Sequence, residues 1–193
     1  MHLYHYFSKE NGPFRSISDL PRERARAIWN EMIDHLEDTT QIDFKRDENK
    51  LIVHWHEIRQ SIEADMRRQF AAKGGKTERL HPYYLVLSVD ETPDKEMIAF
   101  YKAGDCLKIH VGELDMSTVS FTYCDSMQYI TESWFDNETY GIEVFTYGEI
   151  LGIVDQYGWK SEKVNQQNGK PRFIEAQLWS DEQIDVLLQR SIL

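Results

Sequence analysis

Residues 173–179 read Phe173-Ile174-Glu175-Ala176-Gln177-Leu178-Trp179, and a two-residue period sends Ile174, Ala176 and Leu178 to one side of a strand and Phe173, Glu175, Gln177 and Trp179 to the other. One side is wholly apolar. The other sets an acid and an amide between two aromatics, where partial desolvation raises the pKa of a carboxyl group unless a cation or a donor compensates. Perturbed carboxylates concentrate at active sites, which makes Glu175 the candidate catalytic residue. The competing reading leaves Glu175 on a solvated face, with the aromatics capping a sheet edge.

The strand is read as extending over residues 172–179, and a helix follows it. Ser180 and Gln183 form a capping box ahead of Ile184, Leu187 and Leu188. Upstream, Thr146 and Glu149 form another box before Ile150, Leu151, Val154 and Tyr157, with Gly158 as the stop. Before that, Tyr83–Leu87, Met97–Tyr101, Leu107–Val111 and Val119–Tyr123 are rich in β-formers and separated by Asp, Gly and Pro, so four further strands are expected.

The N-terminal half is mostly helical. Leu3–Phe7 reads as a strand, followed by a turn at Asn11-Gly12-Pro13. Ser18 or Asp19 then caps a helix with Pro21 in its first turn and Ala25, Ile28, Trp29, Met32 and Leu36 on one face. Residues 37–50 show no period and are expected to be a loop, while Leu51–Trp55 fits a short strand or a helix lead-in. Ile58, Ile62, Met66 and Phe70 step by four along a second helix, which Lys73-Gly74-Gly75-Lys76 ends. No internal repeat or low-complexity linker divides the chain, so residues 1–193 are expected to form one α+β domain.

The chain has 193 residues, with 33 Asp and Glu against 22 Lys and Arg, and its formal charge of -11 opposes sequence-independent attraction to a phosphate backbone. No membrane partner is expected, because the apolar runs fall far short of the roughly 20 residues that span a bilayer. The N-terminus lacks the basic and apolar regions of a signal peptide, which points to the cytoplasm. Cys106 and Cys124 fall in strand-like segments with no metal-ligand spacing and are read as buried free thiols.

Other motifs carry less. His54-Trp55-His56-Glu57 would put two imidazoles on one face of a strand, yet a zinc site needs a third ligand, and hydrogen-bonded or exposed histidines are the favoured reading, with no metal. Gly74-Gly75 matches no phosphate loop, and no nucleophile elbow is present. Arg67, Arg68, Lys73, Lys76 and Arg79 are the densest basic stretch; cations there suit a helix C-terminus, and the alternative is a bidentate phosphate or pyrophosphate site.

Two resemblances emerge from these segments. Tyr4-His5-Tyr6-Phe7-Ser8 with Gly12-Pro13-Phe14, Lys73-Gly74-Gly75-Lys76, Ser120-Phe121-Thr122-Tyr123, Tyr147-x-Glu149-Ile150 and Glu175-Ala176-Gln177-x-Trp179-Ser180 resemble a bacterial family of uncharacterised proteins over nearly the whole chain. Cys124 stands where that resemblance calls for glycine.

More distantly, the order of a Tyr-His strand, a Gly-Gly segment leading to Pro82-Tyr83-Tyr84, a Phe-Thr strand and a late Glu-Ala strand is similar to the ADP-ribosyltransferase-like fold, in its DNA-base-modifying toxin and RNA 2′-phosphotransferase branches. That resemblance implies antiparallel split sheets gripping NAD as cofactor. His5 would contact a ribose, Tyr84 would join the cofactor site, and Arg79, Arg67 or Arg68 would bind pyrophosphate. Glu175 would hold the nicotinamide ribose and stabilise an oxocarbenium-like transition state, with Gln177 orienting the acceptor. It requires His5 and Glu175 to share one pocket wall. A function of another class, a non-enzymatic protein whose acidic surface and aromatics bind a basic protein partner, fits the composition too.

Overall fold

The computed structural model of the chain describes residues 1–9, 11–40, 51–100, 105–123, 125–126, 142–159 and 173–190. Five strands, β1 (His2–Phe7), β2 (Tyr83–Ser88), β3 (Asp105–His110), β4 (Val119–Thr122) and β5 (Ile174–Leu178), form one antiparallel sheet in the order β3-β1-β2-β5-β4. The fold is α+β with an antiparallel sheet, as expected. Among the described residues the strands make a single continuous sheet, which corrects the expectation of split sheets.

The described residues also form five α-helices: α1 (Arg22–Thr40), α2 (Leu51–Ala72), α3 (Lys95–Phe100), α4 (Tyr147–Tyr157) and α5 (Asp181–Arg190). None of the described helices is long and apolar enough to cross a membrane. The α2 stop falls where the glycines stand: Gly74 has a φ of 86°, and the Gly75 amide donates to the Phe70 carbonyl at 3.0 Å. A Cβ on Gly75 would meet the Phe70 ring at 2.5 Å, so glycine is also required sterically. At α4 the Thr146–Glu149 capping box is formed, and Gly158 ends the helix at φ 81°.

Directly paired residues of antiparallel strands point to the same side, so the registers sort the faces. Leu3, Leu85, Leu87, Ile109, Val119, Phe121, Ile174, Ala176 and Leu178 lie on one face and pack with Ile150 of α4 and Ile184 and Leu187 of α5. On the other face Trp179 packs with Met66 and Phe70 of α2, while Tyr4 and Tyr6 pack with Met97 of α3. At its β4 margin the sheet is continued by Phe145, which exchanges two backbone bonds with Phe121. The opposite margin is β3, where Asp105, Lys108 and His110 are exposed.

Four readings change. Residues 95–100 are helical: the Asp94 side chain accepts from the Met97 amide at 3.2 Å, an N-cap that outweighs the β-propensity of the run after it. Leu51–Trp55 opens α2, and α1 runs to Thr40; the remainder of the expected loop, residues 41–50, lies outside the described residues. Ser18 and Asp19 belong to a 3-10 turn ahead of α1, and the Ser18 hydroxyl is directed elsewhere. At α5, Ser180 accepts from the Gln183 amide, but the Gln183 carbonyl oxygen takes the Asp115 amide instead of closing the box.

Candidate functional site

Beneath α2 the alternation of β4 and β5 buries Ser120, Thr122, Glu175 and Gln177 on one side of the sheet. Buried polar groups need partners, and here they supply one another. The Trp179 indole donates to Ser120 Oγ at 2.8 Å, and Ser120 Oγ donates to Gln177 Oε1 at 2.8 Å. Gln177 Nε2 donates in turn to Thr122 Oγ1 at 3.3 Å and Glu175 Oε1 at 2.8 Å, while Ser126 Oγ donates to that same carboxyl oxygen at 2.6 Å.

Glu175 is 4% exposed. Burial, reinforced by the charge of Asp125, pushes its carboxyl up to about 8, so it holds a proton at neutral pH. Because Oε1 already accepts two bonds, that proton belongs on Oε2. Asp125 itself is half-buried.

Beside this chain is a second node that the sequence reading did not name. Glu63, with 0% of its surface exposed, accepts from Ser18 Oγ at 2.8 Å, Arg59 Nε at 2.9 Å and the Tyr84 hydroxyl at 2.8 Å through Oε1, and bonds His81 Nδ1 at 2.6 Å through Oε2. Burial alone would raise this carboxyl, but the His81 bond, Arg59 and the two hydroxyls outweigh it and hold the group ionised. The Arg59 guanidinium lies 4.5 Å above the Tyr84 ring and is close enough to Glu175 to feel its charge. Arg59, Glu63, Met66 and Phe70 share one helical stripe; an acid within an apolar stripe was the sequence signal for this node.

On β2, Tyr84 and Val86 of this side are half-buried, as is Tyr83 of the other, whereas Leu85 and Leu87 are buried. Register pairs Tyr84 with Gln177 and Val86 with Glu175, so the partly accessible middle of the sheet adjoins the protonated carboxyl.

The remaining candidates lie elsewhere. His5 alternates with Tyr4 and faces the Leu85 side, opposite Glu175, so the two do not bound one pocket; that corrects the shared-wall expectation. The His5 ring stacks on Phe14 at 4.5 Å, with Nδ1 donating to the Tyr84 carbonyl and Nε2 accepting the Phe14 amide. Burial lowers its pKa to about 4 and keeps it neutral. Tyr84 belongs to the site, with its hydroxyl on Glu63.

Arg79 stacks 4.0 Å over Tyr83 and pairs with Asp19 and Asp181, binding the 3-10 turn to the start of α5. Arg67 bonds the Thr77 carbonyl, Arg68 pairs with Asp65, Lys73 with Glu149 and Lys76 with Asp115. The basic stretch is thus matched by protein partners. Residues 54 and 56 fall in α2, where positions two apart do not share a face as they would on a strand. Cys106 is a half-buried free thiol whose pKa burial and Asp105 push up to about 12; Cys124 lies outside the described residues. The exposed large apolar side chains Leu80, Val89, Tyr157 and Val186 fall in four different segments.

Comparison with protein-family models, with curated proteins and with solved structures finds no match.

Proposed function

We propose that the face under α2 is an acid–base site that breaks the glycosidic C–N or C–O bond of a neutral donor, with ribonucleosides as the first to test. Nicotinamide leaves NAD as a neutral base and takes no proton, so that cleavage has no use for a general acid. One observation supports this reading above the rest: Glu175 joins burial and a pKa of about 8 to a neighbouring carboxyl, Asp125. Where one of two neighbouring carboxyls keeps its proton and the other is ionised, the pair can divide the work of such a cleavage. The one that keeps its proton protonates the leaving group, and the ionised one stabilises positive charge on the sugar ring. In this assignment Glu175 is the proton donor and Asp125 the stabiliser.

Glu175 thereby takes a different part from the one implied by the transferase resemblance, in which it would hold the ribose. His5 and Arg79 have no part in it. The half-buried Tyr84 and Val86 give a route of approach beside the acid, and Gln177 orients it.

Release of free base from the four common ribonucleosides tests the reading. A general acid must be protonated to act, so release should fall as pH rises through about 8. Glu175→Gln should abolish it while thermal unfolding remains cooperative. Undiminished release by the Gln variant, or no release by the native protein, overturns the proposal.

A further inference from the structure

A buried acid is useful only if its proton sits on the oxygen that can give it away, and the Gln177 amide beside Glu175 has two directions with opposite effects. Resting on the acid–base reading above, we propose that Ser120, oriented by the Trp179 indole, is a positioning residue that fixes the direction of the Gln177 amide and so keeps the acid proton on Glu175 Oε2.

The direction starts at a group that can only donate. The indole N–H of the fully buried Trp179 gives its hydrogen to Ser120 Oγ at 2.8 Å. The Ser120 hydrogen cannot point back along that bond, and Gln177, its register partner on β5, takes it on Oε1 at 2.8 Å. Nε2 is thereby left for the far end of the amide, where it donates to Thr122 Oγ1 at 3.3 Å and Glu175 Oε1 at 2.8 Å. With the amide reversed, the hydrogen of the fully buried Ser120 would face another donor, and a buried hydrogen without an acceptor is costly.

Ser126 is the second donor to Glu175 Oε1, so with both donors in place Oε2 is the oxygen that carries the proton. Without the Ser120 hydroxyl, neither direction of the amide is favoured at that end. In the reversed direction Glu175 carries its proton on Oε1 and donates it to the Gln177 oxygen, where it is spent inside the protein. Reversal also withdraws an N–H from the ionised carboxylate, which favours the neutral form. Burial and the charge of Asp125 already raise this carboxyl, the bonds from Ser126 and Gln177 and the charge of Arg59 oppose them, and Tyr84 feels its field. Ser120 is uncharged, so its loss acts on Glu175 through the amide.

Free-base release from the four common ribonucleosides across the alkaline range, in native protein, Glu175→Gln, Ser120→Ala and Ser120→Thr, decides the matter together with a carbon-13 titration of the Glu175 carboxyl. Ser120→Ala should lower kcat with KM unchanged, and should move both the alkaline limb and the Glu175 midpoint upward by about one pH unit. Ser120→Thr keeps the hydroxyl and should match the native protein. An unmoved or lowered midpoint in a cooperatively folded Ser120→Ala overturns the positioning role and, with Glu175→Gln inactive, leaves the acid standing. No release by the native protein overturns the acid–base reading and the positioning role with it. A neutron structure of the native protein adds an arm independent of turnover: Gln177 Nε2 directed at Ser120 also overturns the assignment.

Discussion

The two faces of the sheet treat buried polar groups in opposite ways. Under α4 and α5 the interior is aliphatic and aromatic, and its polar exception, His5, is kept neutral with both ring nitrogens spent on backbone. Under α2 a continuous run from Trp179 through Ser120, Gln177 and Glu175 sits beside the Glu63 node, and the charge states of its two acids are set apart. A lone, fully satisfied imidazole holds a loop in place. A network containing a proton that neutral solvent would remove has a reason beyond packing, because buried polar networks often contribute little net stability over an apolar core.

The contrast can be broken most directly at Glu63. Glu63→Ala leaves Arg59 without its buried partner and should lower unfolding free energy by about 3–5 kcal/mol, read from urea denaturation. A loss no greater than that of an exposed pair would reduce the node to a surface feature. His5→Ala strands the Phe14 amide and the Tyr84 carbonyl and should cost about 1–3 kcal/mol, while leaving release of free base from ribonucleosides as it was. Lost activity with a sound fold would bring His5 back into the site.

The pH dependence should separate the faces by sign. The Glu175 pKa of about 8 lies above its unfolded value of about 4.3, so between the two the folded chain holds the proton more tightly and stability falls as pH rises. In Glu175→Gln that decline should vanish. His5 works the other way: its pKa of about 4 lies below the ordinary 6.5, so stability is lost as pH falls through that window. Urea titrations of both variants against pH measure the two slopes, and equal profiles in Glu175→Gln and native protein would contradict the protonated carboxyl. Smallest of all, Arg68→Ala removes an exposed pair with Asp65 and should change stability by no more than about 0.5 kcal/mol.

Where local rules and tertiary packing agreed, the sequence was easily read. The alternation around Glu175, the glycine stop after Phe70 and the Thr146–Glu149 box are all present, because each depends on neighbours a few residues away. The helix at Lys95 was legible too, but only through Asp94; the apolar residues after it resemble a strand to anyone counting propensities. Faces across different strands were not legible. Whether His5 stands with Glu175 depends on registers between segments about eighty and ninety residues apart, and a shift of one position would have put them together. Glu63 escaped notice because an acid in a helix ordinarily faces water, and its four partners arrive from three separate stretches of chain.

The margins of the sheet carry a consequence for association. The outer side of β4 carries a bridge from Phe121 to Phe145, so among the described residues the longer unpaired edge open to a strand from another molecule is β3. There it would meet Asp105 and His110 and displace Lys108 from Glu91, whose carboxylate and carbonyl both hold that ammonium. Charged side chains at such a border discourage edge-to-edge growth, and the molecule is thereby guarded against fibre formation on its more open flank.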